Sequence, residues 1–322
     1  MKIITMNKNR RTDRMKKNVY TAIAFAAVAL FAACSSDDDM LTSVEENQGI
    51  TIIANLPHDA ITRVAYTETS AETSAGSTYG VKETWEENDE LRCTYWQAGQ
   101  TKQRSETNTV TFETGKVTIG KTPTANAYVY LSYPTGLSEP TVADAAGSTS
   151  TWAPTGQANY VFSTINEVAG KNLLVGSFQY TDNKTQTVTL QNVYALLKFS
   201  VKVPTTEASI KNITIGRLND AKTARATINC RGDIVMTGSD ISFSDYVTGA
   251  VQSSSSAIFS LTGDGTYKEV TFYALVIPQE FTNGLYLELK DAANATYKYL
   301  KAGTVTLEGV QRYGVKDKVA KV

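Results

Sequence analysis

The chain has 322 residues, and its 31 lysines and arginines nearly balance its 32 aspartates and glutamates. Because no basic excess is available to neutralise phosphates, the composition gives no support to nucleic-acid binding. A hydrophobic fraction of 42% is enough for real cores, and the length is enough for two domains of ordinary size. The abundance of Thr, Ser, Val and Tyr favours β-strands, since these side chains fit a pleated, half-buried surface.

The amino-terminal region is typical of an export signal. After Lys16 and Lys17 comes an apolar run over residues 19–33. It is about 15 residues long and therefore shorter than the ~20 needed to cross a bilayer as a helix. We expect residues 1–33 to be a cleaved signal peptide, which shortens to residues 15–33 if translation starts at Met15. The sequence Phe31-Ala32-Ala33-Cys34 resembles the lipobox of bacterial lipoproteins, which implies cleavage before Cys34 and lipid on its thiol.

An acidic stretch, Ser35-Ser36-Asp37-Asp38-Asp39, follows this cysteine within a tether over residues 34–48. It resembles the surface-export signal of Bacteroidetes lipoproteins, and it would also serve simply as a solvated tether. The resemblance implies a lipid-anchored position on the outer leaflet of the outer membrane, facing outward.

Beyond the tether, short apolar or alternating runs separated by turn residues predict strands. A hairpin is predicted at Thr114-Gly115, a long surface loop over residues 135–158, and a hairpin turn at Arg231-Gly232-Asp233. Turn residues near position 190 predict two domains, 49–190 and 191–322. Many short strands at regular spacing predict antiparallel β-sandwiches. The predicted strands are 49–54, 90–96, 110–112, 117–119, 127–133, 187–190, 194–203, 213–215, 226–228, 270–277 and 285–289.

Residues that carry catalytic or metal chemistry are scarce. The only histidine is His58, so a catalytic triad or a multi-histidine metal site would have to be built around that residue. No phosphate-binding loop, nucleophile elbow or calcium-binding loop has the required spacing. We therefore expect no enzymatic activity, no cofactor and no metal site.

The cysteines besides Cys34 stand alone. Cys93 and Cys230 lie far apart and belong to no Cys-x-x-Cys pair, which excludes a zinc knuckle or a redox motif. A disulfide between them would have to join the two predicted domains. We expect two free, buried thiols instead.

Several stretches together resemble the fimbrillin-like lipoproteins of Bacteroidales. The resemblance implies an all-β fold of two transthyretin-like β-sandwich domains and a role as a fimbrial subunit, with other subunits as partners. The stretches are Thr62-Arg63-Val64-Ala65-Tyr66-Thr67, Trp85 to Leu91 with the pattern Trp-x-x-x-Asp-x-Leu, Ala195-Leu196-Leu197-Lys198-Phe199, Val276-Ile277-Pro278-Gln279, and Lys301-Ala302-Gly303 leading to Tyr313.

The resemblance also implies how such subunits assemble. A protease cuts after an arginine beyond the first strand, and the terminal strand of a neighbouring subunit fills the groove that opens. Residues 49–55 are the candidate first strand. Arg63 is the candidate cut site, with an ordinary surface arginine as the alternative.

The donor candidate is the tail, 310–322. In it Tyr313, Val315 and Val319 share one face, which Asp317 interrupts. The interruption leaves open a tip, anchor or accessory subunit as well as the main stalk protein.

The alternative function is a lipid-anchored module that binds glycans or a host protein and never polymerises. Such a module would keep Cys34 and would bind through exposed aromatic residues, for example Trp96 or Trp152, by stacking. In either case a receptor on a host or bacterial surface is a candidate partner.

Overall fold

The computed structural model describes residues 49–57, 63–68, 81–136, 139–143, 148–153, 159–308 and 312–321. The predicted signal peptide with Met15, the tether with Cys34, and His58 lie outside these described residues. For the strands Arg63–Glu68, Val81–Thr84 and Arg312–Lys318 the backbone alone is described.

Strands make up nearly all of the regular structure, which confirms the predicted all-β fold. The described residues of the first part also include a short helix, α1 (Ile165–Ala169), capped by Thr164 and Glu167. The strands of this part are β1 (Ile50–Asn55), β2 (Arg63–Glu68), β3 (Val81–Thr84), β4 (Glu90–Trp96), β5 (Gln103–Thr109), β6 (Lys116–Ile119), β7 (Tyr128–Tyr133), β8 (Thr141–Val142), β9 (Thr149–Trp152), β10 (Asn159–Phe162), β11 (Leu174–Gln179), β12 (Thr185–Thr189) and β13 (Gln191–Asn192).

The remaining described residues contain longer strands. They are β14 (Ala195–Val203), β15 (Ser209–Leu218), β16 (Arg225–Ala226), β17 (Ile228–Thr237), β18 (Asp240–Gly249), β19 (Val251–Ser253), β20 (Phe259–Ser260), β21 (Lys268–Val276), β22 (Gln279–Phe281), β23 (Gly284–Asp291), β24 (Thr296–Ala302), β25 (Val305–Leu307), β26 (Arg312–Lys318) and β27 (Ala320–Lys321).

The strands form several sheets, most of them with antiparallel neighbours. The pairs β1–β12, β10–β19 and β14–β26 are parallel. The strand orders are β12-β1-β6, β13-β11-β7-β4-β5, β18-β17-β9-β8, β2-β3, β22-β25, and β26-β14-β21-β10-β19-β15-β23-β24-β27 with β16 and β20 added on β15.

Two hydrophobic cores lie on opposite faces of the five-stranded sheet. In β7, Val129 and Leu131 belong to the first core and Tyr130 belongs to the second. In β11, Leu174 belongs to the first core and Val175 to the second. Because successive side chains of a strand point to opposite faces, this sheet is buried on both faces where these residues lie. Residues 47–322 accordingly form one compact unit.

The prediction of a long loop over residues 135–158 is wrong, because β8 and β9 lie within it. Strand β9 pairs with β17, so this segment contributes to a sheet of the second half. Its polar, threonine-rich sequence resembles a loop, but Trp152 at its end is buried in the second core. The domain limit at residue 190 remains a prediction.

Arg231, Gly232 and Asp233 do not form a turn, since they lie inside β17, where two register shifts mark β-bulges. The turn comes later, at Gly238 with φ +59°, and joins β17 to β18. Bulges of this kind accommodate an extra residue without ending the strand, so Gly232 lies within the strand and does not mark a turn.

Cys93 and Cys230 are both free, as predicted. Cys93 is buried, but Cys230 is only partly buried, so the prediction of its burial is wrong. Burial raises the pKa of the Cys93 thiol well above its ordinary value. In the part of the chain that the structure describes, no helix is long and apolar enough to cross a membrane.

Candidate functional site

Strand β1, the segment predicted to leave after cleavage, lies in the middle of a three-stranded sheet. The N–H of Thr51 donates to the carbonyl of Lys184 beside β12, and the N–H of Ala54 donates to the carbonyl of Gly115 beside β6, both at 2.8 Å. Alternate residues of β1 therefore bond to opposite neighbours. Loss of β1 would leave unpaired backbone groups along both sides of the gap.

The inward face of β1 supplies apolar side chains to the first core. Ile50 and Ile52 are 0% exposed, and Ala54 and Leu56 are also buried. Burying one isoleucine contributes roughly 1.5–3 kcal/mol, so β1 is held by apolar contacts as well as by hydrogen bonds. A strand that replaced β1 would need apolar residues at alternate positions.

Trp85 also binds the backbone of β1. Its Nε1–H donates to the carbonyl oxygen of Ala54 at 3.0 Å, and the whole contact is buried. The indole packs edge-on against the ring of Tyr133, with 5.5 Å between ring centroids. Trp85 therefore occupies the floor of the groove that β1 fills.

Asp89 shapes the turn that positions Trp85. One oxygen of its carboxylate accepts the N–H of Glu86 at 2.6 Å, and the other accepts the hydroxyl of Tyr133 at 3.0 Å. Burial raises the pKa of the Asp89 carboxyl, although these two hydrogen bonds oppose that shift. The Trp-x-x-x-Asp-x-Leu pattern thus joins a turn, an aromatic pair and β1, with Leu91 fully buried at its end.

Two glycines allow close approach at the ends of β1. A Cβ on Gly115, where φ is +65°, would lie 2.4 Å from the carbonyl oxygen of Ala54. A Cβ on Gly49 would lie 1.7 Å from the carbonyl oxygen of Ile119. Only glycine fits at either position, because any larger residue would push β1 away from β6.

Arg63, the candidate cut site, is the first residue of β2. Both Arg63 and Val64 are paired with Thr84 of β3, so the bond between them lies at an irregularity of this two-stranded ladder. Cleavage after Arg63 remains a prediction. Residues 58–62, which connect β1 to Arg63, lie outside the described residues.

The tail supplies the strand at each end of the large sheet. Strand β26 runs parallel to β14, with Tyr313 opposite Leu197 and Val315 opposite Phe199. Strand β27 then pairs with β24 at the far end of the strand order. Between them Val319 is 3% exposed in the second core.

The structure thus assigns the predicted site residues to three different sheets. Strand β1, the Arg63–Val64 bond and the tail do not share a sheet within this molecule. The donor residues Tyr313, Val315 and Val319 are instead part of the molecule's own second half. Their use by another subunit remains a prediction.

The two tryptophans proposed as exposed binding residues were wrong choices. Trp152 is 1% exposed, and Trp96 is partly buried and packs against the second core. Burial of Trp152 follows from the pairing of β9 with β17, which its sequence did not indicate. Tyr246 on β18 is instead an aromatic side chain that is exposed, at 47%. No local sequence pattern indicated its exposure.

Comparisons with known proteins give structural likeness alone. No protein-family model and no curated protein matches this chain. A crystal structure of a candidate cell adhesion protein from Bacteroides ovatus is similar with a TM-score of 0.47 and 10% sequence identity, covering 86% of this chain and 96% of that one.

Two further structures are similar to this chain over most of their length. A candidate cell adhesion protein from Bacteroides fragilis has a TM-score of 0.41 and 11% identity, covering 85% of this chain and 96% of that one. One from Bacteroides uniformis has a TM-score of 0.41 and 14% identity, covering 74% and 92%.

Proposed function

We propose that this chain is a structural subunit of a surface fimbrium and that it assembles by strand exchange at the β1 groove. Strand β1 would be lost after cleavage at Arg63, and the terminal strand of another subunit would take its place. The observation that carries the proposal is the position of β1, which is buried and hydrogen-bonded on both sides. A cut beyond it would leave only noncovalent contacts to hold it.

The chemistry of the groove favours a strand as its occupant. Once β1 leaves, the edges of β12 and β6 present unpaired N–H and C=O groups, and the pockets of Ile50 and Ile52 are empty. An extended segment satisfies both needs together, which is the basis of β-strand addition. A head-to-tail contact of this kind does not close on itself, so repeated exchange produces a filament.

The tail is suited to be released because β26 is the last strand of its sheet. It is paired on one side only, with β14, and no described strand lies on its other side. Release would require the buried Val319 to leave the second core and its N–H to give up the carbonyl of Lys202, 3.0 Å away. These contacts would keep the tail on its own molecule until a stronger acceptor is present.

The proposal includes the lipid anchor and assigns no enzymatic role. Cys34 would hold the precursor to the outer membrane, facing outward, and cleavage after Arg63 would free the subunit from that anchor. Asp317 in the tail leaves open a tip, anchor or accessory position as well as that of the main stalk protein.

Amino-terminal sequencing of protein sheared from cells tests the proposed maturation. We expect the assembled protein to begin at Val64. Arg63→Ala should leave lipidated Cys34 as the first residue and should abolish filaments.

Arg104→Ala is the matched control, because Arg104 is also in the first half and its side chain is 40% exposed. It should leave maturation unchanged. Filaments built from protein that still begins at Cys34 would overturn the proposal.

A further inference from the structure

A cleft of about 670 Å³ opens beside the β17–β18 hairpin, outside the β1 groove. One wall is formed by β18 and the other by the segment Gln191–Val193, with Pro278 at its edge. A volume of this order is typical of small-molecule sites, which range over roughly 300–1,000 Å³.

A ladder of aromatic rings leads from the second core to this cleft. The ring centroid of the buried Tyr194 lies 6.5 Å from that of Phe243. The ring centroid of Phe243 lies 6.4 Å from that of Tyr246. The rings of Phe243 and Tyr246 are stacked, with 28° between their planes. Tyr246 is thereby supported on one face by a fixed neighbour while about half of it remains open to solvent.

The hairpin is held in place by hydrogen bonds to β11 and β13. The hydroxyl of Ser177 donates to the carbonyl of Gly238 at 2.6 Å. The side-chain amide of Gln191 donates to the carbonyl of Ser239 at 3.2 Å. Because the bond between Gln191 and Ser239 joins the two walls of the cleft, its shape exists before any ligand binds, which lowers the entropic cost of binding.

The lining of the cleft selects a class of ligand. Besides the rings, it offers the hydroxyls of Ser239 and Ser242, the carboxylate of Asp240 and the amide of Gln191. None of the described residues that line it is Lys, Arg or His, so a phosphate or another anion would find no countercharge among them. The polar groups would likewise disfavour an acyl chain, since they would be buried without partners.

We propose that this cleft binds a neutral sugar unit of a surface glycan. A pyranose ring has an apolar C–H face, which stacks on an aromatic ring, and a rim of hydroxyls that both donate and accept hydrogen bonds. Tyr246 supplies the stacking surface and Asp240 accepts from the sugar hydroxyls. The hydroxyl of Ser242 donates to the carbonyl of Val235 at 3.3 Å, so toward the sugar it acts as an acceptor. The proposal goes beyond fimbrial assembly, because the cleft is complete in a single molecule.

Titration of the purified full chain with the methyl glycosides of glucose, galactose, mannose and N-acetylglucosamine tests the proposal, with binding followed by saturation-transfer and chemical-shift NMR. We expect at least one glycoside to bind with a Kd on the order of 1 mM, as suits a single small ligand in an open cleft. Tyr246→Ala should weaken that binding by about tenfold or more, and Tyr246→Phe should retain it.

Tyr267→Ala is the matched control, since Tyr267 is 41% exposed and does not line the cleft. It should leave the Kd unchanged. The proposal is overturned if none of the four glycosides binds, or if Tyr246→Ala binds as the unaltered chain does while remaining folded. If the chain binds sugar but still begins at Cys34 in filaments, the proposed cleavage after Arg63 is overturned and the proposed sugar site is not.

Discussion

Comparing Trp85 with Trp152 measures how much the hydrogen bond from Trp85 stabilises the packing of β1. Both indoles are buried, but they differ in their polar contacts. Nε1–H of Trp85 donates to the carbonyl of Ala54, whereas Nε1 of Trp152 has no hydrogen-bond partner among the described residues. A buried donor without a partner costs about 1–3 kcal/mol, while one that is paired contributes to stability.

Replacing each tryptophan by phenylalanine should therefore have unequal effects. Trp85→Phe leaves the carbonyl of Ala54 without its indole donor, and we expect it to lower the free energy of unfolding by about 1–3 kcal/mol more than Trp152→Phe does. Urea denaturation gives the two free energies, and hydrogen exchange at the amide of Ala54 reports the loosening of β1. Equal costs for the two substitutions would show that Trp85 acts through its volume alone.

Asp291 introduces a pH dependence into the second core. Its carboxylate is 1% exposed and accepts hydrogen bonds from the hydroxyls of Tyr297 at 2.7 Å and Thr205 at 2.9 Å, and from the N–H of Ala295 at 2.9 Å. Burial alone would raise the pKa of Asp291, but these hydrogen bonds outweigh it and lower the pKa below its ordinary value. The folded protein thus binds this proton less readily than the unfolded chain does.

The stability that Asp291 contributes should be complete above the unfolded pKa of about 4 and should disappear as the pH falls through the folded pKa. We expect Asp291→Asn to lower the free energy of unfolding by about 1–3 kcal/mol at pH 7. The gap to the unaltered chain should narrow steadily below about pH 5. A series of urea unfolding curves from neutral to acid pH measures this, and a gap that stays constant would refute the assignment.

At the scale of strands, sequence reasoning succeeded where one face of a strand is buried. In β14, Phe199, Val201 and Val203 are buried while Lys202 is exposed, and the alternation was visible in the sequence. Alternation of apolar and polar residues was less informative for β7, because a strand between two cores is apolar at consecutive positions. It failed for β9, whose short polar sequence indicates a loop and whose burial depends on a partner strand far along the chain.

The same limit applies to the candidate site. The first strand and the Trp85 pattern were recognisable, since both are local. The hydrogen bond from Trp85 to Ala54 joins residues 31 positions apart, and the pairing of β26 with β14 spans more than a hundred. The aromatic ladder at Tyr246 likewise depends on how the hairpin folds back, so no local pattern indicated it.

The docking of the tail can be tested through Val319. Val319→Ala removes two carbon atoms from a buried site between β26 and β27, which should lower the free energy of unfolding by about 1.5–3 kcal/mol. Hydrogen exchange in β26 and β27 should speed up as well, because the tail opens more often. Leu300→Ala, at a residue of β24 that is 42% exposed, is the control and should change stability by less than about 0.5 kcal/mol. A Val319→Ala variant as stable as this control would show that the tail is not anchored there.

Across the whole molecule, each of the two cores is linked to a different proposed function. The first core includes β1, so it is the one that would open when β1 leaves. The second core is closed by the tail and carries the aromatic ladder of the sugar cleft. Because the five-stranded sheet between them contributes to both cores, the scaffold around the gap would remain folded while a new strand enters.

A reversible covalent lock on β1 tests the account most directly. Thr51 and Thr118 are directly opposite in the antiparallel pair β1–β6. The N–H of Thr51 points to the other neighbour, so this is a non-hydrogen-bonded pair with Cα atoms about 4.5 Å apart, a spacing that suits a disulfide. Thr51 is partly exposed and Thr118 is exposed, which gives oxidant and reductant access.

The variant Thr51→Cys with Thr118→Cys is compared with Thr118→Cys alone, which lacks the lock. We expect the double variant to be cut after Arg63 yet to form no filaments under oxidising conditions, and to regain assembly when a thiol reductant is added. The single variant should assemble in both conditions. Normal filament formation by the oxidised, fully cross-linked double variant would contradict the account, because a strand that cannot leave cannot be replaced.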